Sequence, residues 1–287
     1  MRRALAPLLL AACATKSPPA EEVLGPTQLR EPARASPETL ARQLDLQAEA
    51  AQSLGDLDRV AADASSAARA HPQSYPLQDR AAKALFRAAL RRMMLWELEV
   101  GEADPRIETL LVAGEEIPAE RRATLLSLAR EGAAFAESAT RLDPTRVEGH
   151  LALGLNLTIQ AIAEGGMNAL VQGLPGKIRD AVDKAVAADR LHDGAGPLRL
   201  EGRFFTNVPW PLRDLPRAER ALLDAEAHAP GAFVHLFLGD LRWRQGRGPE
   251  AREAWSRAAT ASPAPGLRLF DPLASAEARQ RLASTAP

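Results

Sequence analysis

Arg199 and Arg203 stand four residues apart in the run Gly196-Pro197-Leu198-Arg199-Leu200-Glu201-Gly202-Arg203-Phe204-Phe205, a spacing that sets both guanidinium groups side by side on one face of a helix. Beside an apolar wall of phenylalanines such a pair can grip a ligand carboxylate bidentately, or else stand as a solvated surface pair. A second polar group, Asn156 with Thr158 and Gln160, interrupts Glu148 to Ala163, where Leu151, Leu153, Leu155, Leu157, Ile159 and Ile162 cover every side. A helix apolar all round is enclosed by others. A polar side chain buried there without a partner costs about 1–3 kcal/mol, so Asn156 either bonds neighbouring backbone or faces a polar ligand in a cavity. The third is Trp210, in Asn207-Val208-Pro209-Trp210-Pro211-Leu212-Arg213-Asp214-Leu215-Pro216. An ordered loop carrying an aromatic residue points to binding; the alternative is that the indole plugs the end of a helical stack.

Other chemistry is absent from the sequence. His71, His150, His192, His228 and His235 make no H-E-x-x-H pattern, and there is no G-x-S-x-G elbow or phosphate-binding loop. We therefore expect no catalysis, no cofactor and no metal. His71 and His228 fall at expected helix C-termini, where a basic side chain suits the dipole. A net charge of -1 argues against a nucleic-acid partner.

Cys13 is the only cysteine, so the folded part has neither a disulfide nor a thiolate metal site. It follows Arg2, Arg3 and the apolar run Ala4 to Ala12, which is far short of the about 20 residues that span a bilayer. Leu10-Ala11-Ala12-Cys13 resembles the lipobox of a bacterial lipoprotein signal, in which the thiol takes a diacylglyceryl group and the small residues admit a signal peptidase. Each buried methylene adds roughly 0.8 kcal/mol to such an anchor. By that resemblance residues 1–12 are the signal and the mature chain begins at Cys13. The same resemblance implies that Ala14 allows export to the outer membrane, facing the periplasm.

The elements that must position these groups are helices. Alanine, leucine, arginine and glutamate dominate, aromatic residues make up 4 %, and runs of strand-forming residues are missing. Residues 13–36, with Pro18, Pro19, Pro26 and Pro32, read as a flexible tether. A helical domain is expected over 37–287, entered at the Ser36-Pro37 cap, with Gly55 as the first stop. Five alanine-rich turns end alike, at Ala67 to Pro72, Ala139 to Pro144, Ala185 to Arg190, Ala225 to Pro230 and Ala258 to Pro263. A unit recurring at about 34 residues is what a solenoid of helical hairpins leaves in a sequence. The expected fold is all-α, a tetratricopeptide-like solenoid of roughly ten to twelve helices. Its clearest unit is Leu238-Gly239-x-x-Arg242 followed by Ala251, Trp255, Ala258 and Pro263: small residues where two helices cross, and one large residue beside them. Gly165-Gly166 should end the enclosed helix, with irregular chain to Gly176.

Residues 145 to 263 carry a further likeness. Leu174-Pro175-x-Lys177-Ile178, Ala185, Asp189, Gly196-Pro197-x-Arg199-x-x-Gly202-Arg203-Phe204-Phe205-x-x-Val208-Pro209, Arg217-Ala218 and Ala225 to Pro230 together resemble the T-component of tripartite ATP-independent periplasmic (TRAP) transporters. The resemblance implies an envelope lipoprotein of tetratricopeptide-like fold. It also implies association with a periplasmic solute-binding protein that carries an organic acid or another apolar ligand, and a channel or cavity through the stack. It places Asn156, Arg199, Arg203, Phe204 and Trp210 near that cavity. The family commonly has a Gly-Gly-Asp turn where this chain has Leu212-Arg213-Asp214.

The competing expectation is a tetratricopeptide lipoprotein that holds envelope or pilus proteins together through a concave groove, possible also as a homo-oligomer. Convergence of Asn156, Arg199 and Trp210 on one enclosed space distinguishes the two.

Overall fold

The computed structural model describes residues 35–100, 117–264 and 266–285. Among them are twelve helices and no strand: α1 (Pro37–Ala50), α2 (Leu54–Ala70), α3 (Tyr75–Val100), α4 (Ala119–Leu142), α5 (Val147–Glu164), α6 (Gly166–Val171), α7 (Leu174–Asp189), α8 (His192–Asn207), α9 (Leu215–His228), α10 (Ala232–Arg244), α11 (Gly248–Thr260) and α12 (Asp271–Ser284). The protein is an all-α assembly of helical hairpins. No described helix is long and apolar enough to cross a membrane. The signal expected over 1–12 and the tether expected over 13–36, Cys13 included, lie outside the described residues as far as residue 34.

Local sequence explains where helices begin and end. Ser36 accepts a hydrogen bond from the Thr39 amide and Pro37 opens α1. Ser53 and Asp56 form a reciprocal capping box on α2, so α1 stops at Ala50 and Gly55 belongs to the first turn of the next helix rather than ending the first. All five alanine-rich signatures are helix ends. In four of them the signature's first alanine accepts the closing amide, at Ala67, Ala139, Ala225 and Ala258. Gly165, at φ 80°, ends α5; the stretch expected to be irregular as far as Gly176 instead holds α6 and the start of α7.

Short turns set successive helices against each other, and glycines bring several of the crossings close. A Cβ on Gly239 in α10 would lie 2.3 Å from the Trp255 indole of α11, and one on Gly202 in α8 would lie 2.3 Å from Leu222 of α9. The repeat period is visible in the charges as well. Asp58–Arg92, Arg130–Glu164, Asp183–Arg217 and Arg190–Asp224 are ion pairs whose members are 34 residues apart, linking equivalent positions of neighbouring hairpins.

The helices do not run on as an open stack. α3 packs on α5, α5 on α8, α8 on α10, α10 on α12, and α12 returns to α3, so five inner helices close a ring. The closure has its own contacts. The Arg91 guanidinium donates to the Leu269 carbonyl, Gln280 Nε2 donates to the Leu98 carbonyl at 3.1 Å, and Arg87 lies over the Phe270 ring. One apolar cluster accordingly joins Leu57, Leu77 and Leu85 to Leu236, Trp255 and Phe270 across most of the chain.

Candidate functional site

Side chains from four of the ring helices meet at one ionic centre. Asp240 of α10 accepts from Arg281 Nε at 2.5 Å, from Arg203 Nη1 of α8 at 2.6 Å and from the Trp255 indole at 3.0 Å. Arg281 of α12 also pairs with Glu277 at 2.7 Å, and the Arg203 guanidinium lies 4.8 Å from the centre of the Phe237 ring. Asp240 and Arg281 are almost wholly buried, where unpaired charges would be prohibitively costly. Burial alone would raise the Asp240 carboxyl, but Arg281 and Arg203 hold it below its ordinary value. Glu97 of α3 completes the cluster. Burial, and then repulsion from Glu277, push its carboxyl up to about 8, against the pull of Arg203 and Arg281. At neutral pH it is a protonated group among fixed charges. With Glu97 neutral, two carboxylates balance two guanidiniums; once ionised, the centre carries one negative charge too many.

The other end of α8 is built differently. Asp193, Gly194 and Ala195 take left-handed φ of 50°, 60° and 60°, a strained turn for the two that are not glycine. Arg199 holds it, donating to the Gly194 carbonyl at 2.5 Å and to that of Asp193 at 3.2 Å. On α3, Arg87 Nε is buried with no hydrogen-bond partner, and its guanidinium lies 5.2 Å from the centre of the Phe270 ring. Beside that ring, Asp271 accepts the Ala264 amide on Oδ2 while Oδ1 is buried and unpartnered. Burial pushes its carboxyl up and pulls Arg87 and Arg199 down. Arg87 and Asp271 thus each keep a buried polar atom without a partner among the described residues, whereas Arg199 is taken up by backbone carbonyls.

The structure scatters the five expected binding residues. Arg203 enters the ionic centre, and Arg199 is engaged by backbone carbonyls, so the two do not act as an open carboxylate clamp. Asn156 is fully buried in a packing seam: its amide donates to the Ala82 carbonyl of α3 at 3.1 Å and to that of Ala152 at 2.8 Å. The bare Gly132 of α4 makes room for it, since a Cβ there would sit 2.1 Å from its Oδ1. Its amide nitrogen thus follows the backbone-bonding alternative, while its Oδ1 is buried without a hydrogen-bond partner among the described residues. Phe204 lines a shallow apolar recess of about 10 Å³ with Pro175, Leu170 and Pro209, which holds no more than one water. Trp210 is 85 % exposed beside a cis bond to Pro211. It plugs nothing.

Sequence reasoning missed Asp240, Glu97, Glu277 and Arg281. Asp240 carried a signal: an acid directly after Gly239 in an otherwise apolar turn of α10 had to be buried and paired. Glu277 and Arg281, four apart on α12, carried only the ordinary i,i+4 pattern of a solvated face. Arg217, quoted in the family likeness, fastens three helices. It pairs with Asp183 of α7 at 2.5 Å and Glu201 of α8 at 2.6 Å while lying over the Phe205 ring. Among the described residues no cluster of His, Cys, Asp or Glu could hold a metal ion. No protein-family model matches the chain, and no curated protein matches it.

Proposed function

We propose that the chain is a non-catalytic envelope lipoprotein anchored through Cys13, the accessory component of a TRAP-type transport system. It associates with a periplasmic solute-binding protein and offers the inside of its helical ring to an organic-acid or apolar ligand. The observation that carries this reading is the closure of α3, α5, α8, α10 and α12 into a ring, with charged side chains of α3, α8, α10 and α12 meeting between them. An open concave scaffold needs no such return of its last helix to its third. The likeness adds support, because its central motif, Gly196 to Phe205, is the segment that forms α8 and supplies Arg199 and Arg203 to the two ends of that inner surface.

A second reading, a scaffold for envelope or pilus assembly, is favoured by one observation. Asn156 is consumed by packing and Trp210 faces outward, so these two residues serve an outer surface or the fold rather than a guest. One experiment separates the readings: extract the acylated protein from membranes under mild conditions and identify what co-purifies. A soluble solute-binding protein, recovered with wild type and lost from the membrane fraction with Cys13→Ser, is the expected result. Peptidoglycan enzymes or pilus subunits in its place overturn the transporter reading.

A further inference from the structure

The end of the ring where α8 and α12 begin holds charges of both signs that do not meet. On α3, Arg87 and Arg91 stand four residues apart on one face of the helix, and both reach the segment Leu269 to Asp271. Arg91 donates to the Leu269 carbonyl, and Arg87 lies over the Phe270 ring. Asp271, the next residue, is 1 % exposed, and its Oδ1 is buried without a partner. Arg87 Nε is likewise buried and unpartnered, and no described carboxylate closes on that guanidinium. α3 and α8 are not neighbours in the ring, yet the charge of Asp193 on α8 reaches Arg87 without forming an ion pair, and that of Asp271 reaches Arg199 in the same way.

These groups stand apart from the ionic centre. Ten residues along α3 separate Arg87 from Glu97, and ten along α12 separate Asp271 from Arg281, about 15 Å of helix in each case. At the ionic centre carboxylates and guanidiniums pair with one another. Here a guanidinium and a carboxylate are both taken out of water and left short of a counter-charge: burial pulls Arg87 down and pushes Asp271 up. Charges in that condition weigh against the fold. A simple organic anion answers the arginines but is repelled by Asp271 and Asp193, and a cation alone does the reverse. A small molecule that carries both a carboxylate and an ammonium group satisfies both sides with charge-assisted hydrogen bonds.

We infer that this end of the ring binds a free amino acid, a site that rests on the reading above of a guest inside the ring and on nothing about the partner protein. The terminal guanidinium nitrogens of Arg87 grip the carboxylate, and Asp271 Oδ1 accepts from the ammonium group. Only a ring contact holds Arg87, so its side chain is free to swing as the guest enters.

The test is calorimetric titration of the full chain with each of the common L-amino acids and with counterparts that lack the ammonium group, such as glutarate for glutamate and 4-methylpentanoate for leucine. The amino acid that binds is expected to do so about tenfold more tightly than its counterpart. Arg87→Gln should weaken it about tenfold, with helix content and unfolding temperature near those of the parent. Asp271→Asn keeps an oxygen for the Ala264 amide and should erase the preference for the amino acid over its counterpart, a change that a purely structural role of Asp271 does not produce. Equal binding of amino acid and counterpart by the parent overturns the proposal and leaves the interior to an organic acid. Binding of neither overturns it together with the reading of a guest inside the ring. Amino-acid binding untouched by both substitutions puts the guest elsewhere and overturns the proposal as well.

Discussion

Asp240 and Arg281, 41 positions apart, form a two-pronged junction of the ring: the guanidinium Nε meets Oδ1 at 2.5 Å and its second nitrogen meets Oδ2 at 3.1 Å. This pair, with Arg203, is where the tenth and twelfth helices close on the eighth. Replacing Asp240 with Asn keeps the volume but leaves Arg203 and the buried Arg281 short of a counter-charge. The expected loss is about 3–5 kcal/mol in chemical denaturation, with helix content at room temperature still near that of the parent. A loss under about 1 kcal/mol would show that water already reaches the centre.

The glycine crossings give a sharper contrast. Gly239→Ala and Gly202→Ala each drive a methyl into a neighbour now 2.3 Å from the Cβ position. Each should cost about 1–3 kcal/mol by overpacking. Gly176→Ala, where no heavy atom lies within 4 Å of the new methyl, should instead stabilise by about 0.5–1 kcal/mol because it sits inside α7. Unfolding midpoints of the three variants, measured side by side, decide it.

Glu97 sets a pH dependence of definite sign. Its carboxyl is pushed up to about 8 in the folded protein against an ordinary value near 4.3, so between those two pH values the folded state holds a proton that the unfolded state has released. Stability from this group is full below pH of about 4 and is lost as pH rises through about 8. For a partly solvated group the loss is about 2 kcal/mol. Glu97→Gln should flatten this part of the stability curve; an unchanged slope would place the titration elsewhere.

Asn156→Asp tests whether that amide belongs to the fold. The substitution removes the donors to the Ala82 and Ala152 carbonyls and puts an acid in a site with no exposure. A destabilisation of about 3 kcal/mol, relieved as pH falls and the new carboxyl protonates, is expected. A variant as stable as the parent at neutral pH would reopen the role of Asn156 toward a guest.

What the sequence by itself determined was local and periodic. Ser36-Pro37 announced the first described helix, the alanine-rich turns announced five helix ends, and Gly239 with Trp255 announced one close hairpin crossing. Each depends on residues within one or two turns or across one short loop, where spacing along the chain is nearly spacing in space. The helix over 166–171 escaped notice because six residues between glycines show too little periodicity to register.

Only the tertiary structure decided that α12 returns to α3, and with that which charges share an interior. Ring closure is the sum of small rotations over successive hairpins, and no single residue encodes it. Arg199 and Arg203 were legible as neighbours on a helix. Arg199 ties down a turn only five and six residues behind it, but that Arg203 would meet a carboxylate 37 residues away was set by long-range packing, because a guanidinium taken out of water bonds the acceptor that the closing ring brings to it.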